Sequence, residues 1–104
     1  MSNELNLTSE NFGQYINGEK PILIDFYANW CKPCKMMNPV IEDFSKKQNG
    51  KVIVGKVNVD EQPGIASRYE VMSIPTFILF RKGRPISAVI GAVSEPELER
   101  RLLS

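Results

Sequence analysis

Between positions 21 and 27 the chain reads Pro-Ile-Leu-Ile-Asp-Phe-Tyr, an almost unbroken apolar run with one carboxylate inside it. The run lacks the in–out alternation of a strand with one wet face. It therefore reads as a central β-strand covered on both sides. The remaining elements alternate around it. Leu5 and Leu7 alternate with polar residues and suggest a short edge strand. Thr8 is placed to cap a helix in which Phe12, Tyr15 and Ile16 share a face, and Gly18 to end it. Met37, Val40, Ile41 and Phe44 fall at i, i+3, i+4 and i+7 and predict a helix from about Cys34, with Pro39 inside it as a source of a kink.

Residues 52–57 read as the next strand, 63–69 as a short helix and 76–80 as another buried strand. Lys82-Gly83 reads as a hairpin turn, after which residues 86–90 return antiparallel. Ser94-Glu95-Pro96-Glu97 has the form of a capping box with Glu97 at N3, opening a last helix that packs through Leu98 and Leu102. The order β-α-β-α-β-α-β-β-α is that of an α/β fold with a mixed central sheet and helices on both faces. At 104 residues the chain is one domain, 1–104, large enough to bury a core without a covalent staple.

Two cysteines and no histidine restrict the chemistry more than any other count. A structural zinc site takes about four ligands, mostly Cys and His, so only a site shared between chains could hold one. Ser-His and Cys-His catalysis are excluded. What remains for the cysteines is reversible sulfur chemistry or an inert bond. The net charge of +1 is made of interspersed signs. Lys46-Lys47 reads as a solvated helix face and Arg81-Lys82-Gly83-Arg84 as a turn tip, too little to build a nucleic-acid surface. No apolar run reaches the length of a membrane span. Met1-Ser2-Asn3-Glu4-Leu5-Asn6 has no secretory pattern, which makes a cytoplasmic location the expectation.

Trp30-Cys31-Lys32-Pro33-Cys34 falls where the central strand gives way to a helix. Cys31 precedes the first turn, where unpaired N–H groups and the positive end of the helix dipole favour a thiolate. Cys34 lies one turn further in and is expected to be the more buried, so the first thiol attacks and the second waits. Pro33 suits an early helical position because its missing N–H would have had no partner. A C-x-x-C after a strand, opening a helix and without a second ligand pair, is a redox motif. Asp25 interrupts the buried run, and burial raises a carboxyl pKa. On burial alone it serves either the chemistry or the backbone as a hydrogen-bonded structural Asp.

Along nearly its whole length the chain resembles the thioredoxin family. The resemblance is carried by Asp25-Phe26-Tyr27-Ala28-Asn29-Trp30-Cys31-x-Pro33-Cys34-Lys35, Lys56-Val57-Asn58-Val59-Asp60, Ser73-Ile74-Pro75-Thr76 and Gly91-Ala92. It implies the thioredoxin fold, a mixed five-stranded sheet flanked by four helices. It also implies a redox-active Cys31–Cys34 disulfide as the only cofactor, and an Asp25 that takes the proton of Cys34 through water. Lys56 matches a family Lys near that Asp. The resemblance further implies a cis bond between Ile74 and Pro75, facing the cysteines. Trp30, Ile74, Pro75, Gly91 and Ala92 would then form a docking rim, where Ile74 can pair with an extended substrate strand. Trp30 by itself also has a reading as ordinary partial burial, and Gly91 as a residue serving a close turn.

The chain departs from the family at three points. Lys32-Pro33 replaces the usual Gly-Pro, Tyr27 stands where Trp is frequent, and Glu70 where Gly is frequent. Lys32 is expected to favour the Cys31 thiolate slightly and to meet docking partners. The resemblance implies a monomeric protein-disulfide reductase, recycled by a thioredoxin-reductase-type enzyme. No G-x-G-x-x-G occurs, so any flavin or nicotinamide belongs to that partner. An oxidase or isomerase on the same fold would carry His between the cysteines and an export signal. The intact cysteines and Asp25 argue against a non-catalytic binding module as the only role.

Overall fold

Ten elements succeed one another in the computed structural model, which describes residues 4–103: β1 (Leu5–Asn6), α1 (Phe12–Ile16), β2 (Ile22–Tyr27), α2 (Lys32–Met36), α3 (Asn38–Lys47), β3 (Ile53–Asn58), α4 (Pro63–Arg68), β4 (Thr76–Arg81), β5 (Arg84–Ile90) and α5 (Glu95–Leu103). Met1–Asn3, half of the N-terminal segment that lacks a secretory pattern, lie outside the described residues.

The apolar run becomes β2, the middle strand of a sheet ordered β1-β3-β2-β4-β5. β1, β3 and β2 are parallel, whereas β4 and β5 are antiparallel neighbours. Burial on both faces explains the run. Leu23, with Phe77 and Leu79, packs against Phe44 of α3 and Leu98 of α5, while Ile22, Ile24 and Phe26, with Phe80, pack against Phe12 of α1 and Ile65 of α4. Gly55 lets the edge strand approach, because a Cβ there would stand 2.8 Å from the Leu7 side chain.

α2 and α3 form one helix bent at Met37. Pro39 has no N–H to give to the Lys35 carbonyl, so the ladder lapses there. It resumes when the Ile41 N–H reaches the Met37 carbonyl at 2.9 Å. Counted once, the bent helix leaves four helices around five strands. At the hairpin, Lys82 and Gly83 both take positive φ, 51° and 83°, as a two-residue turn between twisted strands requires.

The structure differs from four local expectations. The helix after Cys31 begins at Lys32, not near Cys34, because Cys31 itself is the N-cap. Thr8 does not cap α1 directly. Its Oγ1 accepts from the Glu10 N–H at 3.3 Å and its carbonyl from the Phe12 N–H at 2.9 Å, so it closes a turn that delays α1 to Phe12. The capping box is half made. The Ser94 hydroxyl accepts from the Glu97 N–H at 3.3 Å, but the Glu97 carboxylate turns outward to Arg100, the stronger, charge-assisted partner. Lys47, read as solvated, bridges α3 to the buried Glu95 of α5 at 2.8 Å.

Candidate active site

At its C-terminal end β2 passes through Ala28-Asn29-Trp30 into α2. The turn is held by the Cys31 N–H on the Ala28 carbonyl at 3.2 Å. Cys31 is extended (φ −85°, ψ 106°) and acts as the helix N-cap. Its Sγ accepts from the Cys34 N–H at 3.2 Å, so a backbone dipole points at that sulfur. Pro33 occupies the first turn, where no donor is needed. Cys31 and Cys34 are joined as a disulfide, Cα to Cα 5.3 Å.

The expected difference in burial between the two cysteines is absent: Cys31 is 3% and Cys34 4% exposed. Both lie under Tyr27, Val59 and Ile74. The asymmetry is instead one of surroundings. Cys34, and not Cys31, lines a pocket of about 240 Å³ together with Asp25, Asn38 and Lys56.

Asp25 is 3% exposed, and its Oδ1 has no hydrogen-bond partner among the described residues. A structural Asp would not leave that oxygen orphaned. Burial, and secondarily the charge of Glu4, push its pKa from 3.8 to about 7. Lys56, its register neighbour on β3, opposes that shift without reversing it. Lys56 Nζ also lies 5.5 Å from the centre of the Tyr27 ring, so Tyr27 holds the lysine beside the carboxyl.

Trp30 is 70% exposed, which removes the reading of ordinary burial. Its indole N–H donates to Asp60 Oδ2 at 2.8 Å. The Ile74–Pro75 bond is cis, and the Pro75 carbonyl accepts from the Gly91 N–H at 2.8 Å. Gly91 takes φ 93° with no atom near its missing Cβ, so it is required by conformation rather than by crowding. Trp30 and Ile74 meet across a 300 Å³ groove whose other walls are Val59, Val71, Met72 and Ser73. Gly91 is hydrogen-bonded to Pro75, and neither Gly91 nor Ala92 lines that groove. Lys32 is exposed on the first turn.

Sequence reasoning missed Met72, Asp60 and Glu4. Met72 had one signal, a large apolar residue in a segment with no periodicity. Asp60 lay inside a recognised motif without a role, and nothing marked Glu4. Among the described residues no group of three or more Cys, Asp or Glu is disposed to hold a metal.

A disulfide that caps a helix, backed by a buried acid near neutrality on a mixed α/β sheet, defines a thiol–disulfide exchange protein. The family model described as Thioredoxin matches residues 3–104. A "Thioredoxin" of Alicyclobacillus acidocaldarius is 50% identical over 98 residues, spanning 94% of this chain and 93% of the relative. A "Thioredoxin" of Buchnera aphidicola is 43% identical over 103 residues, spanning 98% and 95%. A "Bifunctional thioredoxin reductase/thioredoxin" of Mycobacterium leprae is 42% identical over 91 residues, 88% of this chain and 20% of that protein. The chain belongs to the thioredoxin family. It is a thiol–disulfide oxidoreductase that reduces protein disulfides and carries its redox group in its own chain.

Proposed function

We propose that residues 1–104 act as a single domain that transfers electrons in the cytoplasm from a thioredoxin-reductase-type enzyme to disulfide-bonded proteins. The domain works as a monomer, apart from membranes and nucleic acids. The observation that carries this reading is the asymmetric setting of the two sulfurs: the Cys34 amide lies 3.2 Å from Cys31 Sγ, whereas Cys34 shares its pocket with Asp25. The fused Mycobacterium leprae relative supports the reductase partner by its name. Among the described residues no helix is long and apolar enough to cross a membrane.

In the reduced protein the Cys31 thiolate, favoured by the helix start and by Lys32, attacks a substrate sulfur. One S–S bond breaks, a mixed disulfide forms, and the first substrate thiolate leaves. Asp25, ionised in part at neutral pH, takes the Cys34 proton through water in the pocket, which is many times the ~30 Å³ share of one water. Lys56 stabilises that charge. The Cys34 thiolate then attacks Cys31 Sγ and expels the second substrate thiolate. Two electrons pass to the substrate, and the disulfide described above is the product. Trp30, Ile74, Pro75, Gly91 and Ala92 hold the substrate strand, and Pro33 keeps the helix start free of a competing donor.

Insulin reduction driven by dithiothreitol tests the scheme. Turnover should be abolished by Cys31→Ser, while Cys34→Ser should accumulate stable mixed disulfides whose partners can be identified. Insulin binding without turnover, unaffected by Cys31→Ser, would overturn the reading in favour of a binding module.

A further inference from the structure

Glu70 sits in the left-handed region at φ 55°. It follows α4, whose end is closed by the Val71 N–H on the Ala66 carbonyl at 2.9 Å and the Glu70 N–H on the Ser67 carbonyl at 3.1 Å. That closure needs one left-handed residue, which glycine supplies without steric conflict. A glutamate there is strained, and strain retained on a surface points to a use for the side chain.

The groove beside Trp30 and Ile74 does not end at Met72. A second basin of about 780 Å³, bordered by Pro63, Ser67 and Glu70, shares Val59, Val71 and Met72 with it. Met72 is 94% exposed and forms the ridge between the two. The result is one apolar trough that leads away from the docking rim and ends at a carboxylate. Among the described residues no ion pair neutralises Glu70.

We propose that Met72 and Glu70 are specificity-determining residues. The polypeptide flanking the attacked disulfide lays an apolar side chain over Met72 and a Lys or Arg side chain at Glu70. The proposal rests on Trp30 and Ile74 being the docking rim. An extended segment advances about 3.3 Å per residue and turns alternate side chains to one side, so one strand can fill both basins. The unbranched, adaptable Met72 accepts many apolar shapes, while the carboxylate discriminates by charge.

The test uses disulfide-bonded peptides with an apolar residue beside the cysteine and either Lys or Glu about two to four residues further on, on either side. Each kcat/KM is divided by the rate on a small aromatic disulfide, which removes changes in sulfur chemistry. The unaltered protein should favour the Lys peptide about threefold at low ionic strength. Glu70→Gln should erase the preference, Glu70→Lys should reverse it, and Met72→Ala should raise KM for both peptides. Equal use of the two peptides, or a preference that survives Glu70→Gln, overturns the proposal. Trp30→Ala tells the two readings apart. If it raises peptide KM while the Glu70 variants change nothing, the rim stands and the charge selection falls; if peptide KM is indifferent to Trp30→Ala, the rim itself falls.

Discussion

A carboxylic acid with a pKa of about 7 makes its own fold less stable as the pH rises. Folded Asp25 keeps its proton up to about 7, whereas the unfolded chain releases it at 3.8. Between those values the native state binds more protons, so stability declines across that window and levels off above it. Asp25→Asn should therefore stabilise the protein at pH 8 by on the order of 2–4 kcal/mol and leave it nearly unchanged at pH 3.5. Urea unfolding at the two pH values checks this; equal effects at both would mean that Asp25 is not raised. The same variant should slow release of substrate from the mixed disulfide, seen as a lagging second thiol in rapid-quench experiments. Lys32 is the other residue whose charge bears on the sulfurs. Lys32→Gly should become more reducing by on the order of 10 mV against glutathione, and an unchanged or more oxidising potential would remove the tuning role. Asp25 was legible as an anomaly because one polar residue inside an apolar run is visible in one dimension. The contribution of Glu4 was not, since it acts from the segment before β1, remote along the chain.

At the scale of elements, strands and helices were legible to within a residue or two, the start of α1 excepted, because their periodicity is local. The bend at Pro39 follows from one missing N–H. The misplaced details were caps, where several donors and acceptors compete within one turn: Thr8 closes a turn before α1, and Glu97 prefers Arg100 to its own cap. The end of α4 offers a direct test. Glu70→Gly should relieve the left-handed strain and stabilise the fold by about 1 kcal/mol, read as a higher denaturation midpoint at unchanged slope. A loss of stability would show that the glutamate makes contacts that outweigh its backbone conformation. The opposite result is expected at Gly55→Ala. The new methyl meets Leu7 in a closed seam between β1 and β3, so about 1–3 kcal/mol should be lost.

For the whole molecule, the disulfide is a reagent rather than a brace. It joins residues only three apart, so the chain entropy it removes is worth about 2 kcal/mol. The core is the larger contribution. Phe26, Phe44, Phe77 and Phe80 are each 0% exposed, and truncating one, as in Phe77→Ala, should cost about 3–5 kcal/mol. That is a large part of a total near 5–15 kcal/mol. A Cys31→Ser/Cys34→Ser protein should therefore still unfold cooperatively, whereas Phe77→Ala should come close to losing its fold; a non-cooperative double serine variant would contradict this division.

The amino-acid order alone determined the central strand, the bent helix, the helix-opening cysteine pair and the buried acid, because each depends on neighbours a few positions away. Tertiary structure decided which sulfur faces the Asp25 pocket, that Trp30 is tethered to Asp60, and that Met72 and Val59 complete one trough with Trp30 and Ile74. Those relations join segments remote along the chain. Their contacts and fields depend on distances that exist only after the sheet has brought its loops to one end.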